Sequence, residues 1–126
     1  MIIISPIYVL LPRKTKADKK IALNLNVFRN LNFIVNNQCK KIYTELMKPY
    51  LIGHKFNKPN ITYTIYYDRW WRHDKLNVWS IVSKYFLDTL VEAWCIEDDS
   101  DEYIWIETFI YWWVDKWKGR VEINII

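Results

Sequence analysis

The chain has 126 residues, of which 52% are hydrophobic and 17% aromatic, with only 2 glycines. This length predicts a single domain with a hydrophobic core. The composition excludes a disordered tail and a flexible linker. Eight tryptophans are a high number for this length, and some of that surface is expected at a subunit interface, where Trp and Tyr are enriched.

The charges divide the chain into two parts. Residues 1–84 carry 15 Lys and Arg against four acids, a net charge of +11, whereas residues 85–126 carry ten acids against three Lys and Arg, a net charge of −7. A basic body around a compact acidic cluster suits a protein that binds a polyanion and places a divalent cation on it. The alternative is an uneven surface charge without a function.

The cysteines and the N-terminus indicate the cellular compartment. Cys39 and Cys95 match no zinc spacing and are too few for a disulfide framework, so reduced thiols in packing positions are expected, as in a cytosolic protein. Residues 2–11 are apolar but too short to span a bilayer, and their basic run follows rather than precedes them. This order favours a first β-strand over a signal peptide.

The patterns predict the following elements in chain order. They are a strand at 2–11, a basic loop at 12–20, an asparagine-rich segment at 21–32 that is irregular or contains a short strand, a helix from 31–34 to about 50, a strand at 61–67, a helix at 76–94, an acidic turn at 97–102, a strand at 103–113, a turn at 116–120 and a closing strand at 121–126. Together they predict one small α+β domain over residues 1–126, with a mixed or antiparallel sheet and two main helices.

The second predicted helix has two distinct sides. Its apolar side is formed by Trp79, Val82, Phe86, Leu87, Leu90 and Trp94. At about 100° per residue, Asn77, Lys84 and Asp88 fall within roughly 40° of one another on the opposite side.

Carboxylates flank this helix on both sides. Asp74 precedes it, Asp88 lies on it, and Asp98 and Asp99 follow it. Neighbouring carboxylates repel one another unless a cation neutralises them, and oxygen ligands of this kind favour Mg²⁺. Lys84 would then stabilise the charge that develops on a phosphate. A solvated turn is the simpler interpretation of the Asp98-Asp99 pair.

Three stretches resemble a known family. They are His73-Asp-Lys-Leu-Asn77, Lys84-Tyr-Phe-Leu-Asp-Thr-Leu90 and Ile96-Glu-Asp-Asp99. They are similar to the Asp-x-Asp-Asn, Lys-x-x-x-Asp-Ala-Leu and Asp-Asp motifs of RusA-type Holliday junction resolvases, in a phage- or prophage-like variant. The resemblance extends from residue 21 onward, and its core is residues 68–101.

Two departures from the family pattern stand out. The spacing from Asn77 to Lys84 is four residues longer, which is about one helical turn and keeps Lys84 on the same side. Leu76 stands where the family has its second Asp, which removes one expected ligand. Asp88, Asp98 or Asp101 would have to supply the missing carboxylate.

The resemblance implies a RusA-like endonuclease that resolves four-way DNA junctions as a homodimer with Mg²⁺, or with Mn²⁺. It implies Asp74, Asp99 and Lys84 as catalytic residues and Asp74, Asp88, Asp98 and Asp99 as metal ligands. The cytoplasm of a bacterial host is the implied compartment. Because of Leu76, a catalytically weak or inactive junction-binding protein stays open, as does a phage protein that binds another protein through its Trp-rich C-terminal third.

Basic residues outside the motifs are candidates for binding the DNA backbone. They are Arg13, Lys14, Lys16, Lys19, Lys20, Arg29, Arg69 and Arg72. Solvated loops are the alternative for each of them. Trp70 and Trp71 stack on unpaired bases in one interpretation and pack against the core or a second subunit in the other.

Overall fold

The computed structural model describes the chain apart from residues 70–74, 105 and 117, and apart from the side chains of residues 75, 112 and 113. The helices of the described part are α1 (Leu25–Arg29), α2 (Phe33–Met47) and α3 (Lys75–Glu92). The strands are β1 (Ile2–Ser5), β2 (Tyr8–Leu11), β3 (Lys19–Ala22), β4 (Asn60–Tyr67), β5 (Ile106–Val114) and β6 (Arg120–Ile125). The predicted α+β class with two main helices is confirmed.

The main sheet has four strands in the order β1-β6-β4-β5 and is mixed. β4 and β5 are parallel, whereas β6 is antiparallel to both β1 and β4. Alternate residues of β4 are buried, as the period-two pattern of the sequence predicts. Because α3 connects two parallel strands, its first turn lies at their carboxyl ends and its last turn at their amino ends.

The N-terminal segment forms two strands instead of the single strand predicted over 2–11. Pro6 lies between them and has no N–H to donate to a sheet. β1 joins the main sheet, whereas β2 pairs with β3 in a separate antiparallel hairpin. Lys19 and Lys20 therefore belong to β3 and not to the predicted loop over 12–20. Val9 and Ile21 are buried and anchor the hairpin to the core.

Asparagine side chains cap two helices in the segment predicted to be irregular. The side chain of Asn24 accepts a hydrogen bond from the backbone N–H of Asn26, and that of Asn32 accepts one from Ile34, both at 2.8 Å. Asparagine is among the preferred N-cap residues. The first cap begins α1, which the sequence pattern missed, and the second begins α2 close to its predicted start.

The C-terminal end of α3 differs from its prediction. The helix ends at Glu92 rather than 94, and Trp94 is 82% exposed instead of lying on the apolar side. Trp94 has φ +62°, while Cys95 N–H donates to the Leu90 carbonyl and Trp94 N–H to that of Val91. This is a Schellman motif, in which glycine usually holds the left-handed position. The turn points Trp94 away from the core.

The remaining apolar residues of α3 pack as predicted. Val82, Phe86 and Leu90 are fully buried against the sheet and α2. Cys39 and Cys95 are free thiols, and both are buried. Burial raises the pKa of both thiols, because an apolar surrounding disfavours the thiolate. Within the described residues, none of the helices has the length and apolar character needed to cross a bilayer.

Candidate metal and phosphate site

The polar side of α3 is accessible to solvent, as predicted. Lys84 is exposed, and Asn77 is half-buried. The carboxylate of Asp88 forms an ion pair with Lys40 of α2, with 2.9 Å between Nζ and Oδ2. This pair joins the two main helices at their surface, where α2 and α3 pack together.

The acidic turn after α3 is exposed and strongly negative. Asp98 and Asp99 are both exposed, and the Asp98 carboxylate accepts a hydrogen bond from the Asp99 backbone N–H at 2.9 Å. A hydrogen bond to Glu97, followed by the charges of Glu102 and Glu97, raises the pKa of Tyr103. The phenol thus responds to the negative field of this turn.

A cavity of about 740 Å³ brings these carboxylates together between α2, α3 and the acidic turn. Five carboxylates and three lysines contribute to its lining: Glu45, Asp88, Glu92, Asp98, Asp99, Lys40, Lys41 and Lys48. Lys84 lies one turn before Asp88 and is not part of this lining. Carboxylates and ammonium groups on one concave surface suit a divalent cation together with a phosphate.

The three lysines of this cavity were missed at the level of sequence. Lys41 and Lys48 are two helical turns apart, and Lys40 and Thr44 are one turn apart, along α2 and the short 3-10 helix (Lys48–Tyr50) that continues it. Residues with this spacing share one side of a helix, so the signal was present. The spacing points to a site only in the context of the fold, which places this side of α2 opposite the acidic turn.

The described residues provide carboxylates for a metal but no complete set of ligands. No group of three or more His, Cys, Asp or Glu side chains in the described part of the chain is close enough to hold an ion. Mg²⁺ needs only one or two carboxylates, because waters and substrate phosphate complete its shell. Exposed Asp98 and Asp99 fit this mode of binding, while Asp88 is neutralised by Lys40.

Several predicted site residues lie outside the part of the chain that the structure describes. Asp74 and Arg72, and with them Trp70, Trp71 and His73, lie outside the described residues. Leu76 follows in the first turn of α3 and is 53% exposed. At about 1.5 Å per residue, Leu76 and Asp88 are separated by about 18 Å along the helix axis. One ion therefore cannot be bound by both positions within a single chain.

The predicted DNA-binding residues lie on several elements. Arg13 donates a hydrogen bond to the Ala17 carbonyl at 2.8 Å, which closes the hairpin loop. Lys14, Lys16 and Lys19 are exposed along the hairpin. Arg29 is exposed in the last turn of α1. Lys20 and Arg69 are also exposed and line a second cavity, at the opposite end of α3 from the acidic turn.

One carboxylate that the sequence did not indicate lies between the sheet and α3. β5 places Glu107 beside Ile61, and its Oε2 accepts hydrogen bonds from the Tyr63 hydroxyl at 2.6 Å and from the Ser83 hydroxyl at 2.8 Å. Burial, and then the negative charge of Glu107, raises the pKa of Tyr63 well above its ordinary value. The carboxylate thus ties α3 to β4.

Replacing Glu107 by Ala is expected to destabilise the fold by about 1–3 kcal/mol, because the buried Tyr63 hydroxyl loses its acceptor. Glu107→Gln keeps an acceptor oxygen in the same place and is expected to cost less. Urea unfolding followed by tryptophan fluorescence measures both changes. An alanine variant as stable as the wild type would show that the network contributes nothing to stability.

Comparison with known proteins leaves the family open. No protein-family model matches the sequence, and no curated protein is significantly similar to it.

Proposed function

We propose that this protein is a Mg²⁺-dependent, structure-selective endonuclease that resolves four-way DNA junctions in the cytoplasm of a bacterial host, as a phage or prophage product. The observation that carries the proposal is the cavity whose lining combines Asp98 and Asp99 with three lysines, beside Glu45 and Glu92. The resemblance of residues 68–101 to RusA-type resolvases supplies the substrate class.

The residues of this cavity divide the chemistry between them. Asp98 and Asp99 hold the ion, which when bound polarises the scissile phosphate and lowers the pKa of the attacking water. Lys41 and Lys48 attract the DNA phosphate to the cavity. Lys40 is held by its pair with Asp88, so these two charges offset each other and the attraction for phosphate comes from Lys41 and Lys48.

One lysine, Lys41, links the hairpin to this cavity. Leu11 and Pro12 of the hairpin border a shallow depression that Lys41 also lines, and Lys41 lines the acidic cavity on its other side. A DNA arm that follows the lysines of the hairpin would therefore reach Asp98 and Asp99. This continuity supports the assignment of residues 13–20 to backbone binding.

Lys41→Ala is expected to weaken DNA binding and to reduce the slope of log affinity against log salt by about 1, since one phosphate contact is lost. Fluorescence anisotropy with a labelled junction over a series of salt concentrations measures the slope. Lys55→Ala is the matched control, because Lys55 is exposed in the loop before β4 and lines neither cavity. Binding that ignores salt in the wild type would favour the protein-binding module instead.

The open side of the sheet supports a homodimer. Strand pairing places Ile4, Glu122, Thr64 and Ile110 in one row across this side. The edge strands expose Ile2, Ile4, Ile106 and Ile110 by 39–66%. Exposed apolar residues on one sheet surface are typical of a subunit interface. A metal site that used both ends of α3 would also need two copies, because the two ends of the helix lie at opposite ends of the parallel strands.

Ile4→Glu is therefore expected to convert a dimer to a monomer, because it places two like charges in the interface. Ile52→Glu is the control, since Ile52 is 62% exposed in the turn after α2 and lies away from the sheet. Sedimentation velocity measures the mass of each variant. A wild type that sediments as a monomer at all concentrations contradicts the dimer.

Cleavage of a synthetic four-way junction tests the proposed activity directly. With Mg²⁺ we expect paired cuts in opposite strands, no cutting of a linear duplex of the same sequence, and no cutting after chelation or in an Asp74→Asn variant. Tight binding without cutting, in Mg²⁺ and in Mn²⁺, would exclude the nuclease. It would favour the second candidate, a junction-binding protein, which Leu76 at the position of an expected ligand supports.

A further inference from the structure

A second cavity, of about 380 Å³, lies where β4 ends and α3 begins, beside the base of the β2–β3 hairpin. Its apolar wall includes Leu23 and Val78, both buried, and half-buried Ile7. Ligands of open sheets bind outside the carboxyl ends of parallel strands, and β4 and β5 are such a pair. The position and size are those of a small-ligand pocket.

Close packing builds the wall of this cavity. A Cβ added to Gly119 would lie 2.6 Å from Cδ1 of Ile7 and 3.1 Å from Cβ of Asp68. Only glycine therefore lets the turn before β6 press against these two residues. The concave shape follows from this packing between three separate segments of the chain.

The mouth of the cavity combines an aromatic ring with two cations. Nζ of Lys20 lies 3.9 Å from the centroid of the Tyr8 ring, and exposed Arg69 lines the same cavity. Lysine and arginine side chains bind phosphate through charge-assisted hydrogen bonds. Asp68 also lines the cavity and can accept a hydrogen bond from the amino group of a base. A phosphate and a base are both present in a nucleotide.

We infer that this cavity binds one unpaired nucleotide of branched or single-stranded DNA, with the base inside and the phosphate between Lys20 and Arg69. The inference rests on the proposed function, because a branched DNA supplies nucleotides that leave the stack at the branch point. A base cannot enter this recess while it stays paired and stacked within a duplex, so the site distinguishes DNA structure rather than sequence.

The test uses a DNA duplex that carries one unpaired 2-aminopurine as a bulge, in buffer with a chelator. Wild-type protein is expected to change the fluorescence of the probe. Lys20→Ala is expected to weaken binding on the order of tenfold. Lys55→Ala removes the same charge from the loop before β4, outside the cavity lining, and is expected to change affinity by less than about threefold.

A cavity-filling variant gives an independent readout. Ala22 is exposed and lines the cavity, so Ala22→Leu is expected to abolish the fluorescence change while binding of a fully paired duplex stays at the wild-type level. Equal effects of Lys55→Ala and Lys20→Ala, or an unchanged response of Ala22→Leu, would overturn the inference. The assay contains no metal, so it measures nucleotide binding separately from cleavage. A protein that binds the probe but cuts no junction would support this inference and contradict the proposed nuclease activity.

Discussion

Replacing Asp99 by Asn is expected to lower the rate of junction cleavage by about a hundredfold or more. The amide is nearly the same size as the carboxylate but carries no charge, so it holds a divalent cation far less tightly. Asp99 is exposed, and the substitution is therefore expected to leave the stability of the fold unchanged. DNA affinity should stay equal or rise slightly, because one negative charge beside the cavity lysines is removed.

Single-turnover cleavage at saturating protein separates this effect on the chemical step from an effect on binding. Asp101→Asn is the matched control, since Asp101 belongs to the same exposed turn but does not line the cavity. The site assignment predicts that only the Asp99 variant loses activity. If the two variants cut at the same rate, the acidic turn acts through its overall charge and Asp99 is not a ligand.

Replacing Leu76 by Asp is expected to raise the rate of cleavage by about tenfold or more, because in the proposed dimer it restores the carboxylate that the resemblance to the RusA-type motif implies at this position. The fold tolerates the change, since Leu76 is 53% exposed. The first turn of α3 contains no acidic residue. A negative charge there interacts favourably with the helix dipole, by about 0.3–1 kcal/mol.

Leu76→Asn is the control for this gain, because it has the shape of Asp without the charge. The expected order of rates in Mg²⁺ is Asp variant above wild type, with the Asn variant at or below the wild type. Equal rates for the Asp and Asn variants would show that residue 76 is not a metal ligand. A wild type that only binds junctions, with cutting restored in the Asp variant, would identify this chain as an inactive binding protein on a nuclease scaffold.

Elements with a strong local period could be predicted from the sequence. The alternation of β-branched and aromatic residues over 61–67 predicted β4 within one residue, and the apolar side of α3 was correct at Val82, Phe86 and Leu90. Local period succeeds here because each side chain of a strand or helix takes its direction from the backbone itself. Trp94 broke the pattern because it is itself the left-handed residue that follows the end of the helix at Glu92.

Part of the candidate site was also present in the sequence by itself. The sequence shows which residues carry charge: the composition changes from basic to acidic after residue 84, and Asp98 and Asp99 are adjacent. Charge and motif order follow directly from the covalent chain, and they led to Asp88, Asp98 and Asp99 as candidate ligands.

Which of these charged residues lie close together depends on the tertiary structure. Lys40 pairs with Asp88 across 48 positions of the chain, and β4 pairs in parallel with β5. The β2–β3 hairpin creates the second cavity beside Tyr8 and Lys20. Each of these contacts depends on how helices and strands pack over long separations in sequence, which no local period encodes.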